Sequence, residues 1–264
     1  MALKVGVIGA CGRMGRNICA YVSAEEGLEL VAAYDKSFTG EDIGLLIGAK
    51  ENGVLVAKRV EDILDKNKVD VIIDFTIAQA AIENIPKVLA AGINVVVGTT
   101  GIGDDKWQEY DKLAKENNVG IFFAANYAIG AVLMMQFAEQ AAKYMPHVEV
   151  IELHHDKKLD APSGTAVTTL KRMAAVRGEM AQGNPEEYEK IAGSRGGEYQ
   201  GMRVHSVRLP GYVAHQEVIF GGVGQTLTIR HDSLSRESFM PGIMLAAKKV
   251  VTFKGLVRDL DNIL

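Results

Sequence analysis

Two cysteines, six prolines and one tryptophan in 264 residues leave this chain poor in residues that cross-link, break or anchor structure. Cys11 and Cys19 lie in one short stretch, which excludes a disulfide framework and fits a reducing compartment. A basic excess is missing too. The formal charge of −4 is the wrong sign for holding nucleic acid through overall charge, so any anionic ligand must be held by local groups. Long apolar runs are also scarce. The opening MALKVGVIGACG reads as a buried strand rather than a secretion signal, which makes a cytoplasmic protein the expectation. The uncharged window from Asn117 to Ala138 is broken by Asn118, Gly120, Asn126, Gly130 and Gln136. It reads as strand, loop and helix start, and no membrane span is expected.

What is present is a hydrophobic fraction of 48% against 23% charged, ordinary for a chain that buries a core. The length suits about two domains. Up to residue 125, short β-branched runs alternate with helical periodicity, the pattern of a parallel sheet covered on both faces. Strands are expected at Leu3–Ile8, Leu28–Tyr34, Val69–Phe75, Asn94–Gly98 and Gly120–Phe123, with helices at Met14–Ser23, Ala80–Ala91 and Asp104–Asn117. Gly40–Val60 suggests a short helix and an excursion strand.

After Asn126 the pattern changes. Helices are expected at Ala128–Tyr144 and Ser163–Arg177, a strand at Val148–Leu153, and loop with a short helix over Gly178–Gly201. Strands at Val204–Arg208, Glu217–Gly221 and Thr226–Arg230 follow without helices between them, the mark of a mixed sheet. A last helix, Arg236–Phe253, is expected to return to the first domain. The fold class is therefore α/β, a Rossmann-like domain (1–126 and 236–264) with a smaller α+β domain that carries a mixed sheet (127–235).

Val5–Ile8 runs into Gly9, Gly12 and Gly15, with a helix following. Glycines in that pattern allow a tight turn and close approach of backbone to a pyrophosphate, and a helix N-terminus adds N–H groups and a positive dipole end. Asp35, at the end of the second strand, stands where a ribose-binding acid belongs. Asp35 favours NADH, whereas Lys36, Arg13 and Arg16 are able to balance a 2′-phosphate, so NADH and NADPH both stay open. Cys11 reads as a small filler between glycines, since no histidine is near it in sequence. Gly98, Thr99 and Thr100, and likewise Ala124, Ala125 and Asn126, follow strands at their carboxyl ends and face the same crevice. Asp74, Phe75 and Thr76 share that position and rank lower as contacts.

The second site is ELHHDKKLDAPSGTA, residues 152–166. Adjacent histidines on a strand point to opposite faces unless the strand has ended. His154 and His155 are followed by the cation Lys158. Pro162 and Ser163, Gly164 and Thr165 then mark a helix N-terminus suited to a carboxylate. A proton donor, a cation and an anion-binding helix end in one segment fit a small substrate with carboxylates. The spacing is not that of a zinc motif and no metal is expected. GxSxG is absent, which argues against Ser163 as a nucleophile.

These motifs, together with VGVIGACGRMGR, DFT, GTTG, AANYAIG and VHSVRLPGYVAHQEVIFGG, make the whole chain resemble the 4-hydroxy-tetrahydrodipicolinate (dihydrodipicolinate) reductase family. The resemblance implies an NADH- or NADPH-dependent oxidoreductase that forms tetrahydrodipicolinate on the route to diaminopimelate and lysine. It implies His154 and Lys158 as proton donors, with His155, Ser163, Gly164 and Thr165 at the substrate carboxylate. It implies a cofactor site of Gly9, Ala10, Cys11, Gly12, Arg13, Met14, Asp35, Lys36, Gly98, Thr99, Thr100, Ala124, Ala125, Asn126 and Tyr127. It further implies a homotetramer assembled through the second sheet. Asp35 and Lys36 stand where many members have Glu and Arg, and Gln225 where some have Glu.

Overall fold

The computed structural model describes residues 2–264. The chain divides into two compact units, one up to Tyr127 with Phe239–Leu264, the other Ala128–Ser238. The sequence pattern alone cuts the chain at 126/127 and 235/236.

In the first unit, strands β1 (Leu3–Ile8), β2 (Leu28–Tyr34), β3 (Val56–Ala57), β4 (Val71–Asp74), β5 (Asn94–Val97), β6 (Gly120–Phe123) and β12 (Gly255–Arg258) form one sheet in the order β12-β6-β5-β4-β1-β2-β3. Every pairing in it is parallel. The strand order reverses between β1 and β4, and ligands of open α/β sheets bind outside the carboxyl ends at that point. Helices α1 (Arg13–Ala24), α2 (Ile43–Leu46), α3 (Ala78–Ala90) and α4 (Asp104–Glu116) lie between these strands in sequence. The strands read as near-continuous apolar runs because helices cover both faces. In α1, Ile18, Cys19 and Val22 are fully buried, the two aliphatic side chains worth roughly 1.5–3 kcal/mol each.

In the second unit, β7 (His147–His154), β8 (Gly197–Tyr199), β9 (Met202–Arg208), β10 (Ala214–Gly222) and β11 (Gln225–Ser233) form a mixed sheet ordered β11-β10-β7-β9-β8. β7 and β9 are parallel, joined through α6 (Gly164–Arg177), and the other pairs are antiparallel. α5 (Ile129–Ala142) packs on α6 and on β10 and β11. α6 buries Ala166, Thr169, Leu170 and Met173, the spacing of one helical face.

Three local expectations need correction. The helix expected over Arg236–Phe253 is a 3₁₀ turn (Arg236–Phe239), then α7 (Met240–Lys249), then a second 3₁₀ turn (Val250–Thr252). Pro241 sits at the start of α7, where its missing N–H breaks nothing but a continuous helix through it is disfavoured. β12, Gly-Leu-Val-Arg with only two adjacent apolar side chains, went unrecognised. Gly178–Gly196 contains turns and no helix; Gly178, Gly183, Gly193 and Gly196 all have positive φ, which interrupts helical backbone. α7 packs against α1 and β5, within the first unit. Among the described residues no helix is long and apolar enough to cross a membrane.

Candidate active site

The turn after β1 is built from backbone hydrogen bonds. The N–H groups of Gly9 and Ala10 donate to the Tyr34 carbonyl at 2.8 and 3.1 Å, and Gly12 N–H donates to the Gly9 carbonyl at 3.1 Å. Gly9 has φ +77, a conformation glycine adopts without strain. A Cβ at Gly15 would lie 2.0 Å from the Gly9 oxygen, so helix and turn meet backbone to backbone. α1 starts with no side-chain cap, leaving its first-turn N–H groups for an external acceptor. Asp35 Oδ2 accepts from Cys11 N–H and Oδ1 from Ser37 N–H, each at 3.0 Å. Every carboxylate oxygen has a further lone pair for a hydroxyl. A glycine cradle, an uncapped helix and an acid beside them suit a dinucleotide.

Gly9, Gly12, Arg13, Met14, Asp35 and Lys36 line a cleft of about 650 Å³ together with Phe75, Thr76 and Ile77. Phe75 and Thr76 thus stand nearer this cleft than the sequence suggested. Lys58, Arg59, Glu61 and Lys87 also line it. Arg59 is paired with Asp62 and Lys87 with Glu61, which leaves Arg13, Lys36 and Lys58 as its other cations. Arg16 does not join them. Its Nε donates to the Cys11 carbonyl at 2.9 Å, its Nη1 to the Leu46 carbonyl at 3.1 Å, and its guanidinium covers Phe38. Burial, aided by the Asp35 charge, pushes the Cys11 thiol up to about 11, so it stays protonated at neutral pH.

Gly98–Thr100 and Ala124–Tyr127 sit at the carboxyl ends of β5 and β6 but do not line that cleft. Ala10, Thr99, Ala124 and Tyr127 are buried. Thr99 donates to the Thr76 carbonyl and Tyr127 to the Val97 carbonyl, and the Tyr127 ring packs on Phe75 and Phe122. The side chains of these four therefore serve the core. Asp74 is fully buried, accepts from Thr76 and Thr99, and burial pushes its carboxyl above the usual range.

In the second unit, β7 ends at His154 and His155 is exposed. Lys158 N–H donates to the His155 carbonyl at 3.2 Å, and Lys158 Nζ lies 2.7 Å from Asp160 Oδ1. Ser163 caps α6, its Oγ accepting from Ala166 N–H at 3.2 Å. Around Gly164, by contrast, a Cβ would meet nothing within 4 Å. The helix end is open at that residue.

Two groups here escaped the sequence reading. Glu152, fully buried, has Oε2 2.5 Å from His154 Nδ1, and Oε1 accepts from Ser163 N–H at 3.3 Å. Arg208 on β9 donates to both oxygens, at 2.9 and 2.7 Å, and to the Asp160 carbonyl at 2.8 Å. Burial pushes the Glu152 carboxyl up, but hydrogen bonds from His154, Arg208 and Ser206 outweigh it and hold it down to about 2. The available signal was the period of β7, since alternation puts Glu152 on the inward face with Val148 and Val150.

Related proteins share this architecture. Residues 3–127 match the family model described as dihydrodipicolinate reductase, N-terminus, and residues 130–264 its C-terminus. The chain is 51% identical over 263 residues to the 4-hydroxy-tetrahydrodipicolinate reductase of Desulfitobacterium hafniense, covering 99% of this chain and 98% of that one. It is 48% identical over 262 residues to that of Moorella thermoacetica, covering 99% and 98%. The solved structure of a dipicolinate-bound dihydrodipicolinate reductase from Paenisporosarcina sp. TG-14 superposes with a TM-score of 0.88 at 44% identity, covering all of both chains. The chain belongs to the dihydrodipicolinate reductase family, whose relatives at this identity are oxidoreductases.

Proposed function

We propose that this chain reduces 4-hydroxy-tetrahydrodipicolinate to tetrahydrodipicolinate, using NADH or NADPH, with the first unit binding the cofactor and the second the substrate. The observation that carries the reading is the β7–α6 connection, where His154, Lys158 and the open helix end at Gly164 occur in one segment. The relative from Paenisporosarcina was solved with dipicolinate, a dicarboxylate, and a helix N-terminus suits a carboxylate.

Gly9–Met14 hold the pyrophosphate and Asp35 the adenine ribose, while Arg13 and Lys36 answer a 2′-phosphate when there is one. The backbones of Gly98–Thr100 and Ala124–Tyr127 complete the cofactor site. Bound there, NADH or NADPH supplies the hydride. Ser163 presents the end of α6, and Gly164, Thr165 and His155 hold a substrate carboxylate. His154 and Lys158 supply protons as negative charge develops on the ring. A homotetramer formed through the second unit's sheet and residence in the cytoplasm belong to the same reading. The exposed face of β11, a nine-residue edge strand, supports assembly there.

The test supplies purified protein with freshly formed condensation product and either cofactor. Loss of reduced-nicotinamide absorbance is expected, and its absence with both cofactors sinks the proposal. His154→Ala and Lys158→Ala should each lower turnover by about 10²-fold or more while dinucleotide affinity stays unchanged.

A further inference from the structure

The inward face of β7 runs Val148, Val150, Glu152, His154. A carboxylate there has no obvious place, because a lone buried acid takes up a proton rather than stay charged. Glu152 stays charged because its surroundings are all donors. The Arg208 guanidinium grips both oxygens in a fork, His154 Nδ1 takes a second position on Oε2, and the Ser163 amide a second position on Oε1.

An ionised carboxylate only accepts hydrogen bonds, so the ring nitrogen 2.5 Å from it carries the hydrogen. His154 is thereby held as the Nδ1–H form, and Nε2 is the atom left for chemistry. We infer that Glu152 is a positioning residue: one buried carboxylate fixes the tautomer and aim of His154 and ties that ring to the amide that opens the substrate-binding helix. The inference rests on the reading of His154 as a proton donor.

The charged groups around the pair are few. Arg208 faces Glu152 from β9; Lys158 is engaged by Asp160, whose carbonyl Arg208 also holds; His155 is exposed beyond the strand end. When Nε2–H gives its proton to the reduced ring, the N–H electron pair stays on the imidazole. The ring becomes neutral with Nδ1–H intact, and solvent water returns the proton. Glu152 gains none, because Arg208 keeps it ionised. It acts through orientation and as the counter-charge of the imidazolium.

The experiment uses full-length protein with ¹⁵N-labelled histidine. A downfield Nδ1 proton is expected in the wild type and in the cofactor-bound enzyme, assigned to His154 by its loss in His154→Ala. In Glu152→Gln that proton should vanish and kcat fall by roughly 10²-fold. KM for the dicarboxylate should stay within about threefold, because the amide oxygen still accepts from Ser163. In the His154→Ala background, Glu152→Gln should add less than about twofold, since the two residues act as one unit. Unchanged turnover in Glu152→Gln, or an equal loss in both backgrounds, overturns the inference. So does a wild-type ring with hydrogen on Nε2 and none on Nδ1, a measurement that needs no variant to fold. Full turnover in His154→Ala overturns the proton-donor reading and this inference with it. The spectrum separates the two failures, because it reads the Glu152–His154 contact without activity.

Discussion

Cys11 N–H donates to Asp35 Oδ2 at 3.0 Å, so the turn after β1 and the acid after β2 are held as one piece. The acid thus shapes the loop as well as offering lone pairs to a ribose. Asp35→Ala is expected to weaken NADH binding by about 10-fold or more, the scale of a lost charged hydrogen bond. NADPH should suffer less, because Arg13 and Lys36 remain in the cleft. Fluorescence titration with both dinucleotides checks this. An equal loss for the two would make Asp35 a strut of the loop only.

Two glycines at helix starts predict opposite behaviour. A Cβ at Gly15 would lie 2.0 Å from the Gly9 oxygen and 2.8 Å from Ala10 Cα, backbone that cannot step aside alone. Gly15→Ala should destabilise by about 1–3 kcal/mol and abolish dinucleotide binding. Gly164→Ala meets nothing within 4 Å, so its melting temperature should hold or rise slightly. Its KM for the dicarboxylate should rise several-fold if a carboxylate approaches there. Melting curves and substrate titrations of the pair separate a packing glycine from a binding one.

The structure also explains what the sequence made legible. Gly9, Gly12, Gly15 and Asp35 stood out because phosphate and ribose recognition is local, written in one turn and one strand end. His154, Lys158 and Ser163 stood out for the same reason. Glu152 and Arg208 did not, because their meaning is a pairing between β7 and β9, two strands 56 positions apart at those residues. Arg16, with the charge for a phosphate, is turned onto two carbonyls and a phenyl ring, which composition does not reveal. Tyr127, expected at the cofactor, is drawn into the core by its bond to Val97. The alternation of strands and helices was readable as a parallel sheet, but β12, Gly-Leu-Val-Arg, has only two adjacent apolar side chains where β4, β5 and β6 each have three.

Lys158 is 20% exposed and its partner Asp160 63% exposed, a pair in which solvent reaches the acid. Such pairs contribute about 0–1 kcal/mol, so Lys158→Ala should hardly move the melting temperature while turnover collapses. Asp160→Asn releases the ammonium from a competing carboxylate. It should lower KM for the dicarboxylate by up to about fivefold, the same energy scale, with stability nearly unchanged. Steady-state kinetics on both variants decides the matter, and a raised KM in Asp160→Asn would place Lys158 under a need for that partner.

Acid stability gives a test that involves no substrate. Glu152 is held down from its ordinary 4.5 to about 2 in the folded chain. As pH falls below about 4.5 the unfolded chain takes up a proton that the folded one refuses. The stability present at neutral pH is then lost progressively until about 2, below which this group adds no further slope. Glu152→Gln has no such proton to bind. At neutral pH it should be less stable than wild type, because Arg208 keeps its charge without a counter-ion. Between about pH 4.5 and 2 its stability should fall less steeply, so the two curves converge. Other carboxylates titrate alike in both proteins and cancel from the difference. Denaturant midpoints measured across that range would show parallel curves if the Glu152 carboxylate were protonated in the folded state, which would refute its role as a permanent anion beside His154.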